Sequence, residues 1–280
     1  MSLLVLSALL AAAACHAAWN ALVRRDGDRN AAALAVAAGS AAVGIALVPL
    51  LPGMSPAAVP FAFGSSMTHV LYYALVARAY RHGELSVVYP IMRGLAPLLV
   101  AVISVVFIEP APAVVLAGIV VVAVGIGSLG VEGLRNGRAG IAAAVANAAV
   151  IAGYTIIDGL GARASGAPAT YSAWIIFGGG VATILFNVAV GGRAVITRLR
   201  PRALLGLAGG VLSFGSYAIA LWAMTFTPIG AVAAVRESSV LFATALGAFF
   251  LGERFGPWRW VAAALVVAGL AMVKLGGGAA

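Results

Sequence analysis

Residues 85–108 read LSVVYPIMRGLAPLLVAVISVVFI, and residues 229–251 read IGAVAAVRESSVLFATALGAFFL. Each run is long enough to cross a hydrocarbon core about 30 Å thick, which takes roughly 20 residues as a helix. Each also carries charge part-way along: Arg93 in the first, Arg236 and Glu237 in the second. A charged side chain at that depth costs roughly 2.5 kcal/mol or more. It therefore faces a bundle interior or a wet cavity, and marks a functional site by default. Each run leads into a glutamate, Glu109 and Glu253.

The two runs are also copies of one pattern. An offset of 144 carries Glu109 onto Glu253, Gly125 onto Gly269, Tyr73 onto Tyr217 and Ala79 onto Ala223, and it carries Arg93 onto Glu237. An offset held across three consecutive helices signals an internal repeat. Further apolar runs lie at 3–23, 31–51, 60–79, 112–131, 139–159, 170–190, 204–226 and 257–275, which brings the total to ten. Loop chemistry separates them, such as Arg-Arg-Asp-Gly-Asp-Arg at 24–29 and Arg-Leu-Arg-Pro-Arg at 198–202.

Composition agrees. The chain has 280 residues, 63% hydrophobic and 9% charged, against about 25% charged in an average soluble domain. Uninterrupted apolar runs exclude the alternating strands of a membrane β-barrel. The net charge of +9 is spread over short loops, so it sets topology rather than binding nucleic acid. Cys15 is the single cysteine, so no intramolecular disulfide forms. No basic residue precedes the first apolar run, which continues to Val23. It reads as an uncleaved transmembrane helix rather than a signal peptide.

The sequence thus predicts an all-α integral membrane protein of ten transmembrane helices. Five is odd, so the repeats, 1–134 and 135–280, enter the membrane in opposite orientations. Inverted repeats of this kind place a substrate site near the midplane between them. Of the 17 basic residues, Arg93 and Arg236 are intramembrane. Arg163 and Lys274 lie in the even connections or at the C-terminus, and all the others fall in the odd connections. The odd connections are therefore expected in the cytoplasm, with both termini outside.

Residues 235–253, VRESSVLFATALGAFFLGE, resemble the penultimate helix of the EamA family in the drug/metabolite transporter superfamily. HAAWNALVRR at 16–25 and WRWVAAALVVAGLAMV at 258–273 also resemble that family. The resemblance implies ten helices in inverted repeats, a central cavity, and movement of amino acids, nucleotide precursors or other small metabolites. It also implies that duplication replaces the dimer of single-repeat relatives, so a monomer is expected. Arg93 and Pro97 stand where the second half has Glu237 and Leu241, so the cavity should be asymmetric.

The candidate substrate-binding residues are Arg93, Arg236, Glu237, Trp19, Asn20, His69, Tyr73, Tyr154 and Tyr217. A guanidinium stays charged when buried and holds a carboxylate bidentately, which suits Arg93 or Arg236 to an anionic group. Glu237 is the candidate for a substrate amine or for a coupled proton. Trp19, Tyr73 and Tyr217 would shape the apolar part of the pocket. His16, Trp19, Asn20 and Val23 share one helix face, as do His69, Tyr72 and Tyr73, while Asn147, Tyr154 and Asp158 recur down the sixth run. The competing reading is structural: an Arg93–Glu237 ion pair locking the halves together, with the other polar groups bonding between helices at about 0.6–2 kcal/mol each.

Three local expectations follow. Adjacent helical positions lie about 100° apart, so Arg236 and Glu237 should point different ways. Pro90, Gly94 and Pro97 should interrupt the 85–108 helix, whereas the 229–251 helix has no internal proline. Glu109 and Glu253 should cap the helices that follow them.

The chain is therefore read as a secondary transporter. It would move a small polar metabolite, an amino acid or similar zwitterion, across the inner membrane by alternating access. The alternatives are a channel-like facilitator, or a transporter for amines, phosphonates or nucleosides. No enzyme motif is present: no H-E-x-x-H, G-x-S-x-G, P-loop or cysteine pair. The three histidines lie on separate segments, so neither a metal nor a cofactor is expected. The partners are the substrate and the lipid bilayer, with proton coupling left open.

Overall fold

The computed structural model describes residues 1–82, 85–129, 140–251 and 257–276. They form α1 (Leu3–Arg25), α2 (Arg29–Leu47), α3 (Val59–His82), α4 (Leu85–Phe107), α5 (Ala113–Ser128) and α6 (Ile141–Ser165). The second half continues with α7 (Pro168–Gly191), short α8 (Ala194–Leu199), α9 (Ala203–Met224), α10 (Ile229–Arg236), α11 (Ser239–Leu251) and α12 (Pro257–Gly276). Ser2 caps α1 through the Val5 N–H and Asp28 caps α2 through the Ala31 N–H, as short polar side chains do at helix starts. Gly166, at φ 64°, ends α6 in a backbone conformation that residues with a Cβ resist.

Six segments are long and apolar enough to cross a membrane: Leu3–Arg25, Arg29–Leu50, Val88–Phe107, Ile141–Ser165, Pro168–Gly191 and Ala194–Met224. Ala113–Ser128 and Trp260–Gly276 are apolar but shorter. Two of the ten expected runs depart from the simple pattern. α3 is long but polar, with Ser65, Ser66, Thr68, His69, Arg78 and Arg81 on it; Ser66 and Thr68 return their hydroxyls to the Ala62 and Gly64 carbonyls. The 229–251 run splits into α10 and α11.

That split corrects the expectation about proline. α4 keeps Pro90 and Pro97 inside one helix, while the run without internal proline breaks. At the break the ladder tightens to i→i+3 bonds. Glu237 N–H donates to Ala234 at 3.1 Å, Ser238 N–H to Val235 at 3.1 Å, and Leu241 N–H to Ser238 at 2.9 Å. A proline removes one bond and leaves the flanking turns intact, whereas a run of tightened turns changes the helix phase.

α10 lies at the centre. Every residue from Ile229 to Val235 is buried, as expected of a helix apolar on all sides. Around it α1 packs on α9 and α11, α6 on α3 and α4, α2 on α7 and α9, and α5 on α12. α5 and α12 meet through glycine: a methyl group at Gly118 would lie 2.7 Å from the Gly269 carbonyl oxygen, and one at Gly269 would lie 2.6 Å from that of Gly118. Small residues let membrane helices approach this closely. The outer surface is apolar, with Phe107 79% and Leu204 81% exposed; a contiguous apolar exterior of this kind suits lipid and not water.

Polar contacts tie the connections together at the two ends of the helices. At one end Arg202 donates to Asp26 at 2.8–3.0 Å and Arg198 pairs with Asp28, joining the α1–α2 turn to the segment before α9. At the other, Ser55 N–H donates to the Ser165 carbonyl at 2.9 Å and Thr170 Oγ1 to that of Pro52 at 2.6 Å.

Candidate functional site

α4, α6 and α10 bring Arg93, Tyr154, Thr155, Arg236 and Glu237 around one cavity, with Pro97 and Val100 on its apolar side. Arg93 Nη2 lies 2.9 Å from Glu237 Oε1, with the side chains 14% and 8% exposed. The Arg236 guanidinium stands 4.9 Å from the centre of the Tyr217 ring, within cation–π range. Arg236 and Glu237 line the same cavity, which differs from the divergence expected of adjacent helical residues. Glu237 sits in the tightened turn after α10, so the regular 100° step does not apply to it.

The pair does not satisfy itself. Arg93 Nε, Glu237 Oε2 and the neighbouring Ser238 Oγ are buried without a hydrogen-bond partner among the described residues. Buried polar atoms are nearly always partnered, so the orphaned Arg93 Nε and Glu237 Oε2 beside one cavity mark a place built to receive a polar group. The cavity holds about 20 Å³, room for about one water molecule. An amino acid does not fit until the helices around it separate.

An aromatic wall adjoins the cavity. His69 of α3 stacks on Tyr154 at 4.4 Å between ring centres, and Tyr72 meets Tyr154 edge-on at 5.9 Å. Behind it Asp158 accepts from Tyr171 Oη at 3.1 Å and from Tyr217 Oη. Of the expected site residues, Arg93, Arg236, Glu237 and Tyr154 line the cavity, while His69 and Tyr217 contact residues that do. Trp19 and Asn20 do not line it. Trp19 packs edge-on against His16 at 5.2 Å, and its buried Nε1 has no hydrogen-bond partner among the described residues. Asn20 returns its amide to the His16 carbonyl at 2.8 Å, a local side-chain-to-backbone bond of the i−4 kind. The Tyr73 side chain and Glu253 lie outside what is described.

Glu109 corrects the capping expectation. α5 starts at Ala113 with Pro112 as its N-cap residue and no side-chain cap. The Glu109 carboxylate accepts instead from Ile229 N–H at 2.8 Å, at the start of α10, and from Arg163 of α6 at 2.9 and 3.0 Å. A helix N-terminus with a guanidinium beside it attracts an anion more strongly than an N-terminus alone. Sequence reasoning left out of the site Thr155, which lines the cavity, and Asp158 and Tyr171, which stand behind its aromatic wall. Asp158 had a signal, as the lone carboxylate of the 139–159 run, one turn beyond Tyr154; Tyr171 had none, because its role depends on how α7 meets α6.

Residues 138–275 match the model of the EamA-like transporter family. No curated protein matches the chain. A solved crystal structure at 18% sequence identity superposes with a TM-score of 0.68, covering 98% of this chain and 96% of its own, and shows a shared fold. The chain belongs, through its second half, to the EamA-like transporter family, whose members are multi-pass membrane transporters of the drug/metabolite type.

Proposed function

We propose that the chain crosses the inner membrane ten times as two inverted five-helix repeats, 1–134 and 135–280. As a monomer it moves a small zwitterion, an amino acid or close analogue, by alternating access. The 144-residue offset supports the repeats, since it carries the helix starts Val59, Leu85 and Ala113 onto Ala203, Ile229 and Pro257. Packing follows the same rule: α1 meets α9 as α6 meets α3, and α1 meets α11 as α6 meets α4. Gly118 meets Gly269 while Gly125 meets Ala262, and the offset exchanges these two contacts.

The Arg93–Glu237 pair with its orphaned Nε and Oε2 carries the substrate assignment. Opening the cavity separates the pair. A zwitterion then offers each member the partner it loses, its carboxylate to Arg93 and its ammonium to Glu237. Arg236 adds a second cation for the carboxylate, with Tyr217 beneath it and Tyr154 and His69 as the wall. A simple amine or a nucleoside satisfies only part of this set. A cavity with room for about one water also supports a carrier over an open channel.

The test is a thermal-shift screen of the purified protein against amino acids, amines, phosphonates and nucleosides. A ligand at 100 times its Kd stabilises the folded state by about 2.7 kcal/mol. Amino acids should give the largest shift, and Arg93→Ala or Glu237→Gln should remove both the shift and transport in proteoliposomes. Normal transport by both variants would make these charges structural.

A further inference from the structure

Asp158 is fully buried on α6 and is not among the residues lining the cavity beside Arg93 and Glu237. Its two oxygens are held separately, Oδ1 by the Tyr171 hydroxyl of α7 and Oδ2 by the Tyr217 hydroxyl of α9. From α3, Ser65 and His69 face the same carboxyl, and Tyr154 lies one turn away on its own helix. α4 presents Arg93, which is committed to Glu237. The turn Pro56–Ala58 has no titratable side chain. α10 presents Arg236 across the ring of Tyr217. None of the ion pairs among the described residues includes Asp158.

A carboxylate buried in a membrane protein without a paired cation carries a heavy desolvation cost, and such groups relieve it by neutralising. Asp158 has hydrogen-bond donors for its ionised form but no ion-pair partner among the described residues, and Arg236, on the ring of Tyr217, lines the cavity. The geometry points to Asp158 as a proton-binding site of this transporter, linked to the substrate cavity through Tyr217 and Arg236. This rests on the reading that Arg236 lines the transport site.

A hydronium ion gives its proton to Oδ2: an O–H bond forms there, one O–H bond of the hydronium breaks, and neutral water is left. The Tyr217 hydroxyl, which donated to Oδ2, turns to accept from the new O–H. The phenol that carries Arg236 on its ring no longer donates to a carboxylate, and an anionic group in the cavity becomes the negative charge that Arg236 meets. Loss of the proton reverses each change. Proton binding and anion binding are thus coupled through one phenol.

Infrared spectroscopy of the full-length protein in liposomes reads this site with the proton itself as the probe. Asp26, Asp28 and Asp158 are the chain's aspartates, and the first two are paired with arginines outside the membrane. Carbon-13 aspartate labelling therefore assigns a protonated-carboxyl C=O band to Asp158 without any substitution. The expected result is a label-sensitive band that disappears on raising pH, is absent in Asp158→Asn, and has its midpoint moved by Arg236→Gln. If Asp158→Asn does not fold, the labelled native protein still decides. No label-sensitive band at any pH overturns the proton site; a midpoint unmoved by Arg236→Gln overturns the link. The thermal-shift screen tests Arg93 and Glu237 independently. Its failure with the band present would leave Asp158 a proton site and remove the amino-acid reading.

Discussion

Removing Glu109 should loosen one end of the bundle by an amount the structure allows to be worked out. Its carboxylate accepts from Arg163 at 2.9 and 3.0 Å, from Ile229 N–H at 2.8 Å and from Ser104 Oγ at 3.4 Å. Arg163 also donates to the Met224 carbonyl at 2.7 Å and that of Thr227 at 3.3 Å. One carboxylate therefore fastens the ends of α4, α6 and α9 to the start of α10. Loss of a helix N-cap costs about 1 kcal/mol. A shielded charge-assisted bond is worth about 1.5–3 kcal/mol. The pair is 28% and 22% exposed, so that value is discounted toward the ~1 kcal/mol ceiling of surface pairs.

Glu109→Ala should therefore cost about 2 kcal/mol, a fall in melting temperature of roughly 4–8 °C for a chain of this size. Glu109→Gln keeps an acceptor for Ile229 N–H and should lose about half as much. Arg163→Met should cost more than Glu109→Gln, because it also loses the bonds to the Met224 and Thr227 carbonyls, and the double-mutant cycle with Glu109→Ala should give a coupling of about 1 kcal/mol. Tryptophan-fluorescence melts of the detergent-purified variants measure all of these. A Glu109→Ala melt within 1 °C of wild type, or additive losses in the cycle, would refute a clasp at this point.

Three further outcomes are expected. Gly118→Ala places a methyl 2.7 Å from the Gly269 carbonyl and should cost about 1–3 kcal/mol by overpacking. Gly127→Ala, on the same helix with open space at its Cβ, should be neutral or stabilising, and melts of the two should diverge. Arg93→Met alone strands Glu237 in a buried site and should cost roughly 3–5 kcal/mol, while Arg93→Met with Glu237→Leu should recover most of that stability without transport; transport by the apolar pair would contradict a substrate role. At the other end of the helices, hydrogen bonds from Arg202 and Arg198 hold the Asp26 and Asp28 carboxyls below the ordinary value of 3.8. A lowered carboxyl contributes stability that is present above its ordinary value and lost as pH falls through the lowered one. Melts should therefore drop below about pH 4, less steeply in Asp26→Asn/Asp28→Asn, and an identical slope in the variant would count against these pairs.

The apolar runs and the unusual charges were legible because membrane burial makes both conspicuous. Arg93, Arg236 and Glu237 cost free energy wherever they sit in a membrane, so the sequence alone marks them. Their arrangement was not legible. Whether Glu237 meets Arg93 or diverges from Arg236 depends on the break after α10. That break is built from i→i+3 bonds at Glu237, Ser238 and Leu241, which no proline or glycine announces. Pro90 and Pro97 announced a break that did not come, because a helix packed on both α5 and α6 keeps its remaining bonds. Glu109 was read as a local cap because a sequence shows only the next helix, whereas the carboxylate reached one 120 residues on.

The size of the cavity sets a condition on the proposed cycle. With about 20 Å³ between Arg93, Arg236 and Glu237, this conformation is closed to an amino acid, so a ligand has to favour a wider one. A ligand shifts such an equilibrium only by its differential affinity for the two states. Each hydrogen bond to a charged group is worth about 1.5–3 kcal/mol, so a zwitterion held at Arg93 and Glu237 supplies roughly 3–6 kcal/mol. Against this stands the Arg93–Glu237 pair, already short of partners at Nε and Oε2, which is lost on opening. The balance is a few kcal/mol, enough to shift populations and small enough to reverse when the ligand leaves. A ligand with only one charge leaves one member of the pair stranded, so discrimination against simple amines should appear in transport more strongly than in initial binding.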